Sequence, residues 1–118
     1  MRDPERANFP QTQVDPGRMH LARLARLRAE LRRIGCAGGL FYDPTNIRYA
    51  TGTSNMQVYA LHNPCRYVFV ATEGPVVLFE FKRCEHLSAG FPAVSEVRPA
   101  VSWYHFVTGD RVAEKARE

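Results

Sequence analysis

Apolar residues from Leu21 to Ile34 recur with a helical period. At about 100° per residue Leu24, Leu27, Leu31 and Ile34 fall within an ~80° sector, Leu21 sits at its edge, and most arginines lie elsewhere. A helix with one apolar stripe must pack that stripe on something. Its start is marked by Asp15, suited to accept from amides the first turn leaves free, by Pro16 at the first helical position, and by Val14 placed to staple against Met19. Gly35 is the expected left-handed stop. Residues 36–42 are short, apolar and bounded by turn residues, which predicts a buried strand. Gly38 and Gly39 within it suggest close approach of another backbone.

Polar, aromatic and turn-forming residues take over from Asp43 to Arg66. Asp43-Pro44 ends the strand and opens a turn of helix over 45–49, with Asn46 bonding the turn and Tyr49 packing into the core. From 51 to 63 neither a helical nor an alternating period survives, so a long loop is expected, crowded with Asn55, Gln57, Tyr59, His62 and Asn63. Interspersed Met56, Val58, Tyr59 and Leu61 argue that it is ordered. Residues 66–72 and 76–81 are rich in β-branched and aromatic residues and flank Glu-Gly-Pro, the signature of a hairpin. A short helix over 82–90 with Cys84 and Leu87 inward, a brief strand at 94–97, a further strand or edge segment at 102–107 and a helix over 111–118 complete the reading. That last helix is expected to continue past Glu118. Residues 1–15 read as an extended arm and 16–118 as one α/β domain around a mixed sheet.

With 118 residues, 45% hydrophobic and 24% charged, the chain has the composition of an ordinary soluble domain, and cytoplasmic residence is expected. No apolar run reaches the ~20 residues that a bilayer requires. Three cysteines (Cys36, Cys65, Cys84) without a CxxC pair favour reduced thiols. The net charge of +4 raises nucleic acid as a partner, but the excess is local: six arginines between Arg18 and Arg33 with the single acid Glu30, and no aromatic residue interleaved to stack bases. A solvated face or a docking surface fits that pattern better, so neither nucleic acid nor a membrane is an expected partner.

Candidate chemistry is sparse. His62-x-x-Cys65 and Cys84-Glu85-His86 have no partner pair at metal-ligand spacing, so no metal or other cofactor is expected in this chain. Cys65 or Ser54 beside His62 lacks an orienting acid nearby in sequence, so no catalytic residue is assigned. Arg66 stands out, because an arginine at the mouth of a strand below a polar loop can offer its planar fork to a carboxylate, although a surface arginine starting a strand fits equally. His62 and Asn63 either line a substrate mouth or cap the loop against Pro64.

The run Asn-Ile-Arg-Tyr-Ala-Thr-Gly (46–52), followed by a polar loop ending in Asn-Pro-Cys-Arg-Tyr (63–67) before a strand, resembles the amino-terminal domain of the creatinase and Xaa-Pro peptidase family. The Ser-Asn-Met-Gln (54–57) and His-Asn-Pro-x-Arg (62–66) segments are most similar to the bacterial branch that includes a metal-dependent dimethylsulfoniopropionate lyase. The resemblance implies a ribonuclease-H-like three-layer α/β/α sandwich with a mixed sheet. It also implies a parent enzyme, a Xaa-Pro peptidase-like hydrolase or related lyase, whose two divalent metal ions sit in a separate carboxy-terminal domain on two aspartates, a histidine and two glutamates, a pattern missing here. The domain would then cover that active site, contribute Arg66, His62, Asn63 and Asn55 to contacts with a small carboxylate or proline-containing substrate, and help form a homodimer. A free-standing module that binds a small acid or a partner protein is the rival reading, and a basic nucleic-acid-binding domain the third.

Overall fold

Helix α1 (Pro16–Arg33) begins and ends where the sequence places its caps. In this computed structural model, which describes residues 15–101 and 109–118, the Asp15 carboxylate accepts from the Arg18 amide at 3.2 Å and Pro16 opens the first turn. At the other end Gly35 has φ +76°, its amide donates to the Arg32 carbonyl, and the Cys36 amide donates to Leu31 at 2.9 Å. Those two bonds satisfy carbonyls that the helix end would leave bare.

Four strands form one sheet in the order β1 (Gly38–Phe41), β2 (Tyr67–Ala71), β3 (Val76–Glu80), β4 (Glu96–Pro99). β1, β2 and β3 pair antiparallel, and β4 runs parallel to β3, so the sheet is mixed and the α/β class read from the sequence is observed. Register puts Val68 opposite Leu78 and Val70 opposite Val76, and these four face the core together with Leu24 and Leu31 of α1 and Ile47 and Ala50 of α2 (Pro44–Thr51). Each valine, leucine or isoleucine among them contributes on the order of 1.5–3 kcal/mol when removed from water. On the opposite face Tyr67 stacks on Phe79 at 4.8 Å and meets Tyr42 at 5.3 Å.

Several elements depart from their expected form. The strand expected to be buried over 36–42 instead lies, among the described residues, at an edge of the sheet, with Leu40 51% exposed. Its glycine pair offers little to bury, and the close approach at Gly38 comes from the Phe69 ring as well as the Val70 carbonyl, each 2.9 Å from where a Cβ would stand. The loop expected over 51–63 contains a short helix, α3 (Gln57–His62), too brief for a period to show. Tyr49 lies outward under the Arg23 guanidinium, 5.6 Å from its centroid, instead of in the core. Leu87 is exposed, and Ser88 turns inward from a 3-10 helix at Glu85–Ser88. A 3-10 turn at Gly109–Arg111 leads into α4 (Val112–Lys115). The expected arm, apart from Asp15, and the segment 102–107 lie outside the described residues.

Most of the arginine excess is spent inside the chain. Arg28 donates to the carbonyls of Ala71 and Gly74 across the hairpin, Arg32 pairs with Glu73, Arg33 with Glu30, and Arg23 covers Tyr49. α1 is thereby docked by its charged flank as well as by its leucines.

Two glycines with similar φ should respond differently to a methyl group. Gly52 (φ +81°) ends α2, and a Cβ there would lie 2.6 Å from the His20 ring, whereas Gly35 (φ +76°) has nothing within 4 Å. Gly35→Ala is expected to cost about 1 kcal/mol from backbone strain, and Gly52→Ala roughly 2–4 kcal/mol from strain plus overpacking, measured by urea unfolding. Equal losses would show that His20 yields freely.

Candidate functional site

Arg66 lies immediately before β2, and its side chain is completely buried. Its Nε donates to Glu80 Oε1 at 2.8 Å and one Nη donates to Thr53 Oγ1 at 2.7 Å. The fork expected to be offered to an outside carboxylate is therefore turned on the chain's own carboxylate. Neither is this a surface arginine. The other nitrogen, Nη1, is buried without a hydrogen-bond partner among the described residues.

Glu80 ends β3 and is equally buried. Oε1 also accepts from the Asn55 side-chain amide at 3.1 Å and the Phe81 backbone amide at 3.0 Å, while Oε2 accepts from the Ser88 hydroxyl at 2.6 Å. Burial alone would push this carboxyl up. The bonds from Arg66, Ser88 and Phe81 and the Arg66 charge outweigh it and hold the group below the ordinary carboxylate range. On the other side of Arg66 the Thr53 hydroxyl lies 2.7 Å from that of Thr51, which bonds the Ile47 carbonyl at 2.7 Å. A hydroxyl has one proton: with Thr51 donating to Ile47, Thr53 must donate to Thr51 and accept from Arg66. A continuous line of hydrogen bonds, donated outward from Arg66 on both sides, thus joins Glu80 to α2.

Above this network sits the polar loop. Asn55 reaches down to Glu80, and Met56 follows with φ +45°, a left-handed conformation uncommon in a residue with a side chain. α3 then exposes His62, and Asn63 caps the helix: its backbone and side-chain amides both donate to the Tyr59 carbonyl at 3.1 Å. His62 and Asn63 line a cleft of about 240 Å³ with Tyr42, Asp43, Pro44, Ala60, Leu61 and Pro64. Asp43 spends one carboxylate oxygen on the Thr45 and Asn46 amides at the start of α2. Of the four residues singled out from the sequence, Asn55 and Arg66 meet on Glu80, and His62 and Asn63 meet at the cleft.

Cys65 is buried, its Sγ donates to the Asn63 carbonyl at 3.3 Å, and burial pushes its thiol up more than its own backbone amide and the Arg66 charge draw it down. A raised thiol is a poor nucleophile and a poor metal ligand. All three cysteines are free. Among the described residues no three His, Cys, Asp or Glu side chains converge as metal ligands. No helix among them is long and apolar enough to cross a membrane. Glu80, Thr53 and Ser88 were not anticipated. Only the placement of a glutamate at the end of an apolar strand, Val76 to Phe81, hinted that it needed a buried partner.

The mixed sheet with its packed helices thus carries a buried ion pair beneath a polar loop. Residues 23–103 match the Creatinase/Prolidase N-terminal domain, and the chain belongs to that family. It is 36% identical to the dimethylsulfoniopropionate lyase DddP of Roseobacter denitrificans over 93% of its own length and 28% of the relative's. It is 41% identical to the DddP of Roseovarius nubinhibens over 64% of its own length and 17% of the relative's. The chain therefore spans less than a third of either curated relative.

Breaking the pair should cost far more than removing it. Arg66→Met strands the Glu80 carboxylate and is expected to lose about 3–5 kcal/mol, whereas joining it to Glu80→Leu should recover much of the loss, as a double-mutant cycle by chemical denaturation would measure. Because the folded carboxyl is held below its usual 4.5, its contribution is present above that value and is lost as pH falls beneath it. Glu80→Gln should accordingly flatten the acid limb of the stability profile. An unchanged limb would mean that the carboxyl is not held down.

Proposed function

We propose that this chain serves as the non-catalytic amino-terminal domain of a metal-dependent lyase acting on dimethylsulfoniopropionate or a similarly small carboxylate. The observation that carries the reading is the likeness to DddP across nearly the whole chain. It favours a lyase over a Xaa-Pro peptidase, because both relatives carry the lyase name. In this reading the two divalent ions belong to polypeptide outside this chain, and the domain sits over their site in a homodimer.

The geometry supports a division of labour among the candidate residues. His62, exposed, and Asn63, half-buried, stand at a cleft and would meet the substrate side. Arg66 and Asn55, both bound to Glu80, would act from beneath by fixing the loop that carries them. An arginine already held by Glu80 and Thr53 keeps its position at no cost at the moment of reaction.

Exchanging the matching stretch of the Roseobacter denitrificans lyase for this chain should give a folded enzyme that consumes dimethylsulfoniopropionate with kcat/KM within roughly a hundredfold of the parent. In that chimera His62→Ala is expected to raise KM several-fold with little change in kcat. The chain alone should consume none, with or without divalent metal. A folded, metal-loaded chimera without turnover, or turnover by the isolated chain, would overturn the proposal.

A further inference from the structure

The cleft between the start of α2 and the end of α3 is one-sided in its hydrogen bonding. Its donors are mostly spent: the Thr45 and Asn46 amides go to one Asp43 oxygen, and the backbone amide and one side-chain N–H of Asn63 go to the Tyr59 carbonyl. Acceptors are left over. Among the described residues the second Asp43 oxygen takes no hydrogen bond, and no backbone amide reaches the carbonyls of Ala60, Leu61 and His62, the last of α3. Neither Lys nor Arg lines the cleft, and Asp43 is its one carboxylate. The positive end of α2, which could otherwise attract an anion, is already closed by that same Asp43. A carboxylate brought here would face a like charge with few N–H groups to bind it, whereas a cation would meet a charge and bare carbonyl oxygens.

The lining also discriminates among cations. Leu61 and Pro64, both exposed, and Pro44 and Ala60, both buried, make much of it apolar. At about 240 Å³ it lies below the usual range of pockets for larger ligands and suits a group of a few heavy atoms. A divalent metal ion requires several anionic oxygens, and no such cluster is present among the described residues. An ammonium is strongly hydrated and gains little from apolar walls. A methylated onium group has no N–H, and its methyl groups gain from leaving water against leucine and proline.

Dimethylsulfoniopropionate carries a dimethylated sulfonium at one end and a carboxylate at the other. We infer that this cleft receives the methylated onium end of the substrate against Asp43, with the carboxylate end directed out of it toward polypeptide outside this chain. The inference rests on the functional reading above for the identity of the substrate, and it says which end of that substrate His62 and Asn63 meet.

Binding by the chain alone tests it separately from turnover. Trimethylsulfonium chloride is titrated into the isotope-labelled chain and amide NMR shifts are compared with those in sodium chloride at equal ionic strength. Saturable shifts are expected at Thr45, Asn46, Leu61 and His62 with a Kd on the order of 10 mM, and sodium propionate or ammonium chloride should give none there. Asn caps a helix as well as Asp does, so Asp43→Asn keeps the start of α2 while removing the charge. It should weaken onium binding at least about fivefold with circular dichroism unchanged. In the lyase chimera the same change is expected to raise KM at least about fivefold and to leave kcat within roughly twofold. No saturable shift at the cleft, propionate bound there in place of the onium, or equally tight binding by Asp43→Asn would overturn the inference. A chimera whose KM ignores Asp43→Asn would also overturn it while leaving the functional proposal standing. A chimera without turnover, beside a chain that binds the onium through Asp43, would instead sink the functional proposal and leave the cleft's preference in place.

Discussion

The buried pair between Arg66 and Glu80 is the constraint on which the working end of this domain depends. Two full charges without solvent contact are tolerable only when almost every lone pair and proton is spoken for, and here the partners come from five places in the chain. Thr53 and Asn55 lie between α2 and α3, Phe81 and Ser88 follow β3, and Thr51 extends the chain of bonds into α2. Removing any one of these segments leaves a charge undersatisfied. The pair therefore acts less as a source of net stability, which apolar residues could match, than as a selector of one arrangement among these segments.

That arrangement explains how a stretch with neither helical nor strand periodicity stays ordered. Residues 51–63 contribute little to the apolar core beyond Ala60, and a short helix of six residues does not hold itself together in water. Order is supplied from below, by hydrogen bonds to a carboxylate fixed at the end of a core strand, and from the side by Asn63 and by Tyr59 against Phe81. The left-handed Met56 is the local cost of turning the chain from the Asn55 anchor into α3.

What could be read beforehand divides along the same line. α1, its caps and the hairpin were legible because each rests on local signals: Asp15 and Pro16 at one end, Gly35 at the other, β-branched runs around Glu-Gly-Pro. The edge position of β1 was not, because an apolar run bounded by turns has the same pattern in the middle of a sheet and at its side. Arg66 was recognised as special but its partner was not, since the thirteen positions between it and Glu80 carry no sign of pairing. Glu80 itself occupies a slot in a Val-Val-Leu-Phe-Glu-Phe run where alternation alone would allow a solvent-facing acid. Pairing across a sheet is a property of register, and register follows from the hairpin plus the third strand, not from either residue.

The distribution of charge follows from these two solutions to docking. α1 is fastened by guanidinium groups whose partners are carbonyls and carboxylates of the same chain, so a basic balance of +4 coexists with little unspent basic surface near the sheet. Around α3 the chain instead carries no formal charge and, among the described residues, turns apolar side chains outward. A domain whose own ion pairs are closed internally and whose open face is neutral presents few long-range electrostatic cues. Recognition at that face then rests on shape and apolar contact, which demands a loop held in one conformation. The Arg66–Glu80 network meets that demand, and this is how a buried ion pair can bear on the shape of an exposed face.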